Sequence, residues 1–247
     1  MKRILIVVIA LGMLMPGQAR AGGLGVRVYY WAPAVSGDIR VDGDKERGEV
    51  LDFTDTLGLE NVPVPIVEVY AGAANQNMSL AYARTRSSGT RTLSEEMRFG
   101  GERYPVRDII CSRLLLTAYD FTYGYSLIAT PIIELGVLSR ATFINGSMSV
   151  SSALRPMRRE KNFRSPIPML GVNLRLGLLH FLEINGVACG GYAQGKAYEG
   201  RAELVFKPVA LVGLHGGYRS QVFTVDQDQV RFTLNDSGPY LALTLGF

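Results

Sequence analysis

The chain alternates apolar residues with small or polar ones along most of its length, and after Gly22 no run of about 20 apolar residues interrupts that pattern. Between Leu170 and Leu178 every second residue is Leu or Val, and the residues between them are Gly, Asn or Arg. A period of two is typical of β-strands whose two faces meet different surroundings. The sequence therefore predicts an all-β fold without membrane-spanning helices.

The composition of the polar face distinguishes a soluble sheet from a membrane barrel. In a soluble protein that face meets water and is rich in Lys, Glu and Thr, whereas here many of its residues are Gly, Ala, Ser or Asn, with single Arg or Glu residues. Small residues suit a crowded concave interior, and bulky aliphatic residues suit lipid. We predict an antiparallel transmembrane β-barrel of ten strands, with eight to twelve as the range.

The predicted strands follow the alternation, and the segments between them differ in length. The strands span 24–32, 63–73, 76–87, 106–122, 125–141, 167–179, 182–194, 199–208, 211–225 and 229–247. Tight turns are predicted near Ala74–Gln76, Tyr123–Tyr125, His180–Phe181 and Lys207–Ala210, and longer loops at 33–62, 88–105 and 142–165. Short turns at one end indicate a periplasmic end that also carries both termini. Aromatic residues near these turns predict a girdle at that interface, formed by Phe121, Tyr123, Tyr125, Phe181, Phe206 and Phe247.

The first 21 residues have the organisation of a secretory signal peptide. Lys2 and Arg3 precede an apolar run, and Ala19-Arg20-Ala21 is a cleavage site of the A-x-A type. We expect residues 1–21 to be a cleaved signal and 22–247 to form the barrel domain, the alternative being an uncleaved anchor helix. Cleavage would leave 23 basic residues against 22 acidic ones. This near balance gives no indication of nucleic-acid binding.

Several short motifs resemble those of small bacterial outer-membrane β-barrels of the OmpA/OmpX-like class, in a branch without an assigned activity. The motifs are Trp31-Ala32-Pro33, Ser36-Gly37-Asp38-Ile39, Leu51-Asp52-Phe53, Leu57-Gly58-Leu59, Phe99-Gly100-Gly101, Tyr104-Pro105 and Gly217-Tyr218-Arg219. The terminal Phe247, with alternate residues before it, resembles the signal that the barrel assembly machinery reads in that class, here Tyr240, Leu243, Leu245 and Phe247. The resemblance implies a fold and a location in the outer membrane, and contact with that machinery during biogenesis.

Charged residues recur at positions predicted to face the lumen: Arg27, Glu68, Arg113, Glu134, Arg140, Arg175, Arg201, Glu203, His215 and Arg219. An isolated charge in a narrow interior costs several kcal/mol unless it is paired. Because both signs occur, the residues can form Arg–Glu bridges that plug the barrel, or a charged constriction that selects a small solute. A ten-stranded barrel is narrow, which favours the plug.

Catalysis and metal binding find little support in the sequence. The chain has two histidines, His180 at a predicted turn and His215 facing the lumen, and no Ser two positions after His215. The His-x-Ser arrangement of lipid A deacylases is therefore absent, as is the Asp-His set of omptin proteases. No pair of histidines and no Cys-x-x-Cys indicates a metal site or cofactor. Cys111 and Cys189 are predicted on strands that are not neighbours, and we expect them to be buried separately.

Two predicted loops carry opposite charge. Segment 142–165 contains the basic residues Arg155, Arg158, Arg159, Lys161 and Arg164, which we expect at the outer face, where they would meet lipopolysaccharide phosphates. Segment 33–62 is acidic and lies where it could pair with the basic loop. It could also hold Ca²⁺, although no EF-hand spacing is present.

The prediction from sequence is a monomeric, non-enzymatic barrel in contact with outer-membrane lipid and lipopolysaccharide. It would serve envelope integrity, surface contact or narrow solute passage. The alternative is an enzyme acting on lipid A or another outer-leaflet lipid. A soluble lipocalin-like carrier explains neither the lipid-like face nor Phe247.

Overall fold

The computed structural model describes residues 23–44, 46–192, 195–209, 211–227 and 229–246. The predicted signal peptide and Phe247 lie outside these residues. The strands are β1 (Gly23–Trp31), β2 (Ala34–Val41), β3 (Leu51–Asp52), β4 (Val64–Ala73), β5 (Gln76–Thr92), β6 (Met97–Phe99), β7 (Glu102–Tyr104), β8 (Ile109–Ala129), β9 (Ile133–Ser152), β10 (Arg158–Leu179), β11 (Leu182–Tyr192), β12 (Gly195–Val209), β13 (Val212–Gln227) and β14 (Val230–Gly246). Within the described ranges no helix is long and apolar enough to cross a membrane.

Ten of the strands close into an antiparallel barrel. Their order is β1-β4-β5-β8-β9-β10-β11-β12-β13-β14, and β1 pairs with β14 to complete the ring. Closure leaves no sheet edge at the level of β1, which is what hydrocarbon surroundings require of a spanning sheet. The predicted ten-stranded barrel is confirmed.

The first strand is interrupted at Ala32 and Pro33 and then continues as β2. β2 pairs with the upper part of β14, from Ala34 opposite Ser237 to Val41 opposite Val230. Its other edge pairs only with the two-residue β3. The wall between β2 and β5 above the start of β4 is therefore completed by residues 53–63, which we call the wall segment.

One predicted turn was wrong. The chain does not reverse at Tyr123–Tyr125; β8 continues to Ala129 and turns at 130–132. Gly124 lies within the strand opposite Asn77, and a Cβ atom there would be 2.5 Å from the Asn77 Oδ1 atom. Tyr123 and Tyr125 therefore lie on the outer face near the periplasmic end of the strand. The other predicted reversals coincide with observed hairpins.

The predicted loops contain a large amount of sheet. Segment 142–165 is not a loop but the upper halves of β9 and β10, paired without a break from Thr142 opposite Ile167 to Ser151 opposite Arg158. Likewise β2 and β3 lie in the predicted loop 33–62, and the hairpin of β6 and β7 lies in 88–105. The strands β8, β9 and β10, together with β5, which pairs with β8 as far as Thr92 opposite Ile109, therefore continue well beyond the end of β11 at Tyr192.

A belt of exposed apolar side chains surrounds the lower barrel and ends at a ring of aromatic residues. Along β10 the outward residues Leu170, Val172 and Leu174 are 73%, 51% and 40% exposed. The upper end of the belt is marked on seven strands by exposed aromatic residues, which we call the upper aromatic ring: Tyr30, Tyr82, Tyr119, Phe143, Tyr192, Tyr198 and Tyr218. Amphipathic rings favour the headgroup level, so this ring marks the outer interface of a bilayer.

The interior has two zones of opposite character. Above the level of the upper aromatic ring it is apolar, with a core that includes Phe53, Phe99, Phe163 and Phe232. The Phe163 and Phe232 rings, from β10 and β14, lie 4.8 Å apart between centroids, so the packing crosses the lumen. Below that level the interior is dominated by charged and polar side chains.

Candidate functional site

The charged residues of the lower interior form three layers. The first charge layer lies nearest the periplasmic turns, where Arg175 bridges Glu134 at 2.9 Å and Glu183 at 3.3 Å. Lys207 also contacts Glu183, at 2.8 Å. Two cations thus meet two carboxylates, and the layer is balanced.

The second charge layer is centred on Tyr29 of β1. Its hydroxyl donates to Glu68 and accepts from Arg201 at 3.0 Å and from Arg27 at 2.9 Å. Arg201 lies on β12, on the far side of β13 and β14, so this contact crosses the lumen. Glu203 accepts a hydrogen bond from Tyr240 and supplies the second carboxylate.

The third charge layer is the most buried. Arg140 on β9 bridges Glu199 on β12 at 2.6 Å, with the two side chains 8% and 2% exposed. Arg219 bridges the same carboxylate at 2.9 Å and lies 4.0 Å from Asp120. The Arg219 guanidinium also lies 5.0 Å from the centre of the Trp31 ring, which is cation–π distance.

The structure places nine of the ten predicted lumen residues in the lower interior. His215 lies beside Glu203, and the other eight belong to the charge layers: Arg27, Glu68, Glu134, Arg140, Arg175, Arg201, Glu203 and Arg219. Arg113 was wrong. It lies on the outer face of β8, between the buried Ser112 and Leu114. In the upper barrel the interior is apolar, so the alternation inverts and the charged residue faces outward.

His215 lies between two side chains in an arrangement that the sequence did not predict. Its Nδ1 is 3.2 Å from Glu203, and its Nε2 is 2.8 Å from the hydroxyl of Thr244. The order acid–imidazole–hydroxyl is that of nucleophilic catalysis. However, Thr244 also accepts a hydrogen bond from Arg27 at 3.0 Å, and the imidazole is 5% exposed, so the three groups tie β12, β13 and β14 together. His180 is exposed at the β10–β11 turn, in edge contact with Phe181.

The predicted lipopolysaccharide-contact residues separate into two groups. Arg159 and Lys161 face the mouth of the barrel, where Arg159 bridges Glu102 and Lys161 donates to Gln229 at 2.8 Å. Arg155 is exposed at the tip of the β9–β10 hairpin, while Arg158 and Arg164 lie on the outer face of β10. Arg158 is bridged to Glu160 at 3.3 Å.

Arg164 belongs to a basic cluster on the outer face that spans four strands. It shares a level with Asn145, Thr117 and Arg84, which are successive partners across β9, β8 and β5. With Arg86 and Arg113 above, these arginines form what we call the arginine patch: Arg84, Arg86, Arg113 and Arg164. None of the four is bridged to a carboxylate of the described residues. The patch begins one outward position above Tyr82 and Tyr119 of the upper aromatic ring.

At the mouth, the acidic segment pairs with the β6–β7 region rather than with the upper part of β10. Arg103 holds Glu46 at 2.8 Å, and this hydrogen bond lowers the pKa of the Glu46 carboxyl. In the described ranges no cluster of three metal-ligating side chains occurs. Both cysteines are free; Cys189 is buried, whereas Cys111 is exposed on the outer face of β8, contrary to the expected burial.

The closed ring, the apolar belt and the upper aromatic ring together define the class of fold. It is an outer-membrane-type β-barrel. No protein-family model matches the chain, and no curated protein is significantly similar to it in sequence.

The barrel is similar to several solved structures. It resembles Ail, the attachment invasion locus protein of Yersinia pestis, solved in complex with the heparin analogue sucrose octasulfate, at 13% identity over 92% of this chain and 100% of that one (TM-score 0.42). It resembles the translocator domain of the autotransporter NalP from Neisseria meningitidis at 10% identity over 99% and 94% (TM-score 0.46). For Neisserial surface protein A the identity is 10% over 93% and 99% (TM-score 0.35). Identities and TM-scores this low carry no information on ligand or activity. The assignment of the fold therefore rests on the strand pairing.

Proposed function

We propose that this protein is a non-enzymatic, sealed barrel of the bacterial outer membrane that stabilises the envelope by binding lipopolysaccharide through the arginine patch. It is exported by a cleaved signal peptide, inserted by the barrel assembly machinery and acts as a monomer. The observation that carries the proposal is the position of the patch, directly above the aromatic residues that mark the outer interface.

The geometry of the patch suits phosphate groups at the headgroup level. Arg84 and Arg164 are separated by three strand spacings, or about 14 Å at ~4.8 Å per strand. Thr117 and Asn145, which lie between them, add neutral hydrogen-bonding groups. Arginine binds phosphate through two parallel N–H bonds, and such charge-assisted bonds are stronger than neutral ones. On these four strands the nearest outward carboxylate is Glu160, two outward positions above Arg164.

The packing of the interior argues against solute passage. The three charge layers cross the lumen through paired side chains, and the apolar core occupies the space above them. A permeant solute would have to break buried ion pairs, which costs several kcal/mol per unpaired ion. The barrel is therefore proposed to act at its outer surface.

The test measures lipopolysaccharide binding by the purified barrel. The temperature at which folded, fast-migrating protein is lost on a gel should rise when purified lipopolysaccharide is added. In the double variant Arg84→Gln/Arg164→Gln most of that rise should disappear, because both lateral ends of the site are lost. A matched control, Lys196→Gln/Arg231→Gln, removes two exposed cations from the outer faces of β12 and β14 and should keep the rise.

In cells that lack the native protein, the patch variant should restore less resistance to bile salts than the control variant. An equal thermal response of both variants to lipopolysaccharide would refute the proposed contact.

A further inference from the structure

A cavity of about 70 Å³ lies inside the barrel, between the third charge layer and the apolar core. It has about half the volume of the ~150 Å³ engineered cavity that binds benzene, so it suits a molecule of roughly three to five non-hydrogen atoms. Its wall is mostly apolar, with Leu116, Ile144, Phe223 and Leu234 among the lining residues. Trp31, the single tryptophan of the chain, also lines it.

The polar end of the cavity contains a carboxylate with an unused oxygen. Asp236 is 5% exposed, and its Oδ2 accepts a hydrogen bond from Gln221 at 3.3 Å. Its Oδ1 is buried and has no hydrogen-bond partner among the described residues. A buried acceptor left without a donor is destabilising, and more so when it is charged. This end of the cavity therefore favours a ligand that donates a hydrogen bond.

Charge balance points to the kind of donor. In each of the three charge layers two cations face two carboxylates, as in the third, where Arg140 and Arg219 face Asp120 and Glu199. Asp236 stands outside these pairs and is bridged to no cation of the described chain. A cationic group beside Asp236 would supply both the missing charge and the missing donor.

One side of the cavity is closed by irregular backbone rather than by a strand of the barrel. The wall segment contributes Leu59 and Val62 to the lining. It is attached to its neighbours partly by side-chain hydrogen bonds, from the backbone N–H of Val35 to Asn61 at 2.9 Å and from Ser87 to the carbonyl of Glu60 at 2.6 Å. No continuous ladder of backbone bonds joins this segment to β5. A ligand would therefore be expected to enter beside this segment, just above the upper aromatic ring.

We propose that this cavity binds a small primary amine, with its ammonium group on Asp236 and its short hydrocarbon chain among Leu116, Ile144 and Phe223. The site is independent of the arginine patch, which faces outward. The Asp236 carboxylate would favour the cationic form of the amine, because it supplies an opposite charge next to the ammonium group.

Trp31 makes the proposal directly measurable in the purified barrel. We expect n-propylamine, present as the ammonium ion at pH 7, to change the Trp31 fluorescence saturably. Propionate, of similar size and opposite charge, should cause no saturable change, and 1-propanol should bind at least tenfold more weakly. Asp236→Asn should weaken propylamine binding at least tenfold, since it removes the charge of the acceptor that the ammonium group would donate to.

Two further variants separate the site from general effects. Ala118→Leu fills the cavity while leaving Asp236 intact and should also abolish the response. Asp226→Asn removes an exposed carboxylate from the outer face of β13 and should leave the affinity unchanged. Heat-modifiable gel migration establishes that each variant is folded. The proposal is overturned if propylamine and 1-propanol bind equally well, if no saturable response occurs, or if folded Asp236→Asn binds as the original does.

Discussion

Glu199 is the single residue on which the third charge layer depends. Its carboxylate bridges two arginines from two different strands, Arg140 and Arg219, and its side chain is 2% exposed. Removing one partner of a buried ion pair is more damaging than replacing the whole pair by apolar groups, because the remaining charge stays buried without compensation. Here the deletion would leave two buried arginines with Asp120 as the one carboxylate of the layer.

We therefore expect Glu199→Ala to lower the free energy of unfolding by about 3–5 kcal/mol. The exposed pair of Arg158 and Glu160 offers a matched control, and Glu160→Ala should cost less than ~1 kcal/mol. Urea unfolding in lipid vesicles, followed by Trp31 fluorescence, measures both. Equal losses of unfolding free energy in the two variants would show that burial does not increase the contribution of the interior pair to stability.

At the same scale, the sequence predicted the facing of residues well only where the interior is polar. Arg175 and Glu134 alternate with aliphatic residues that face lipid, so the period of two identifies their side of the strand. Arg113 lies above the membrane belt, where Leu114 faces an apolar core and the outer face is polar. The sequence around a charged residue does not show whether the interior at its level is polar or apolar, so this inversion cannot be predicted from it. The partner of each interior charge depends on contacts across the lumen, which a single strand does not encode.

Among the structural elements, the wall segment is the least regular part of the barrel, and its position depends on close packing against β5. A Cβ atom at Gly89 would lie 1.9 Å from the carbonyl oxygen of Gly58, so the two backbones can meet only if residue 89 is glycine. Gly58 itself has a φ of +65°, which other residues adopt at a cost. The segment thus completes the wall by contact rather than by strand pairing.

Gly89→Ala should push the wall segment away from β5. We expect a loss of about 1–3 kcal/mol in unfolding free energy, as for other overpacked sites, together with stronger quenching of Trp31 by acrylamide. Gly200→Ala is the matched control, because a Cβ atom there meets no atom within 4 Å. Unchanged quenching in Gly89→Ala would mean that the segment does not control access to the cavity.

The lengths of the elements were harder to predict from sequence than their number. All ten barrel strands follow the period-two pattern, but β9 and β10 extend into the predicted loop 142–165, where polar residues on the outer face replace the aliphatic ones. The turn predicted at Tyr123–Tyr125 reflects the same difficulty, since Gly124 between aromatic residues resembles a turn although it is a crowded strand position. The hydropathy pattern of a strand depends on what surrounds it. A change in that pattern therefore does not mark the end of the strand.

For the whole molecule, two independent obstructions follow one another along the barrel axis. The charge layers block the periplasmic half, and the core containing Phe163 and Phe232 blocks the outer half. The sequence predicted the first of these as a plug of ion pairs. It gave no sign of the second, which depends on segments that were predicted to be loops.

We expect the reconstituted protein to give no discrete conductance steps in planar bilayers. Glu199→Ala should give none either, because the apolar core still obstructs the outer half. A porin measured in the same bilayers provides the positive control. Stable steps from the unmodified barrel would contradict a sealed lumen and would favour solute passage.

The strands end at unequal heights at the long-loop end of the barrel, and these heights determine which part of the molecule projects farthest. β11 stops at Tyr192, level with the upper aromatic ring, whereas β9 continues from Phe143 to Ser152, about 30 Å farther along the strand at ~3.3 Å per residue. The rim of the barrel is therefore notched at β11 and β12, because β5, β13 and β14 also continue far above the upper aromatic ring. The hairpin at residues 153–156 is exposed at this rim, away from the notch, and the arginine patch lies below it on the outer face.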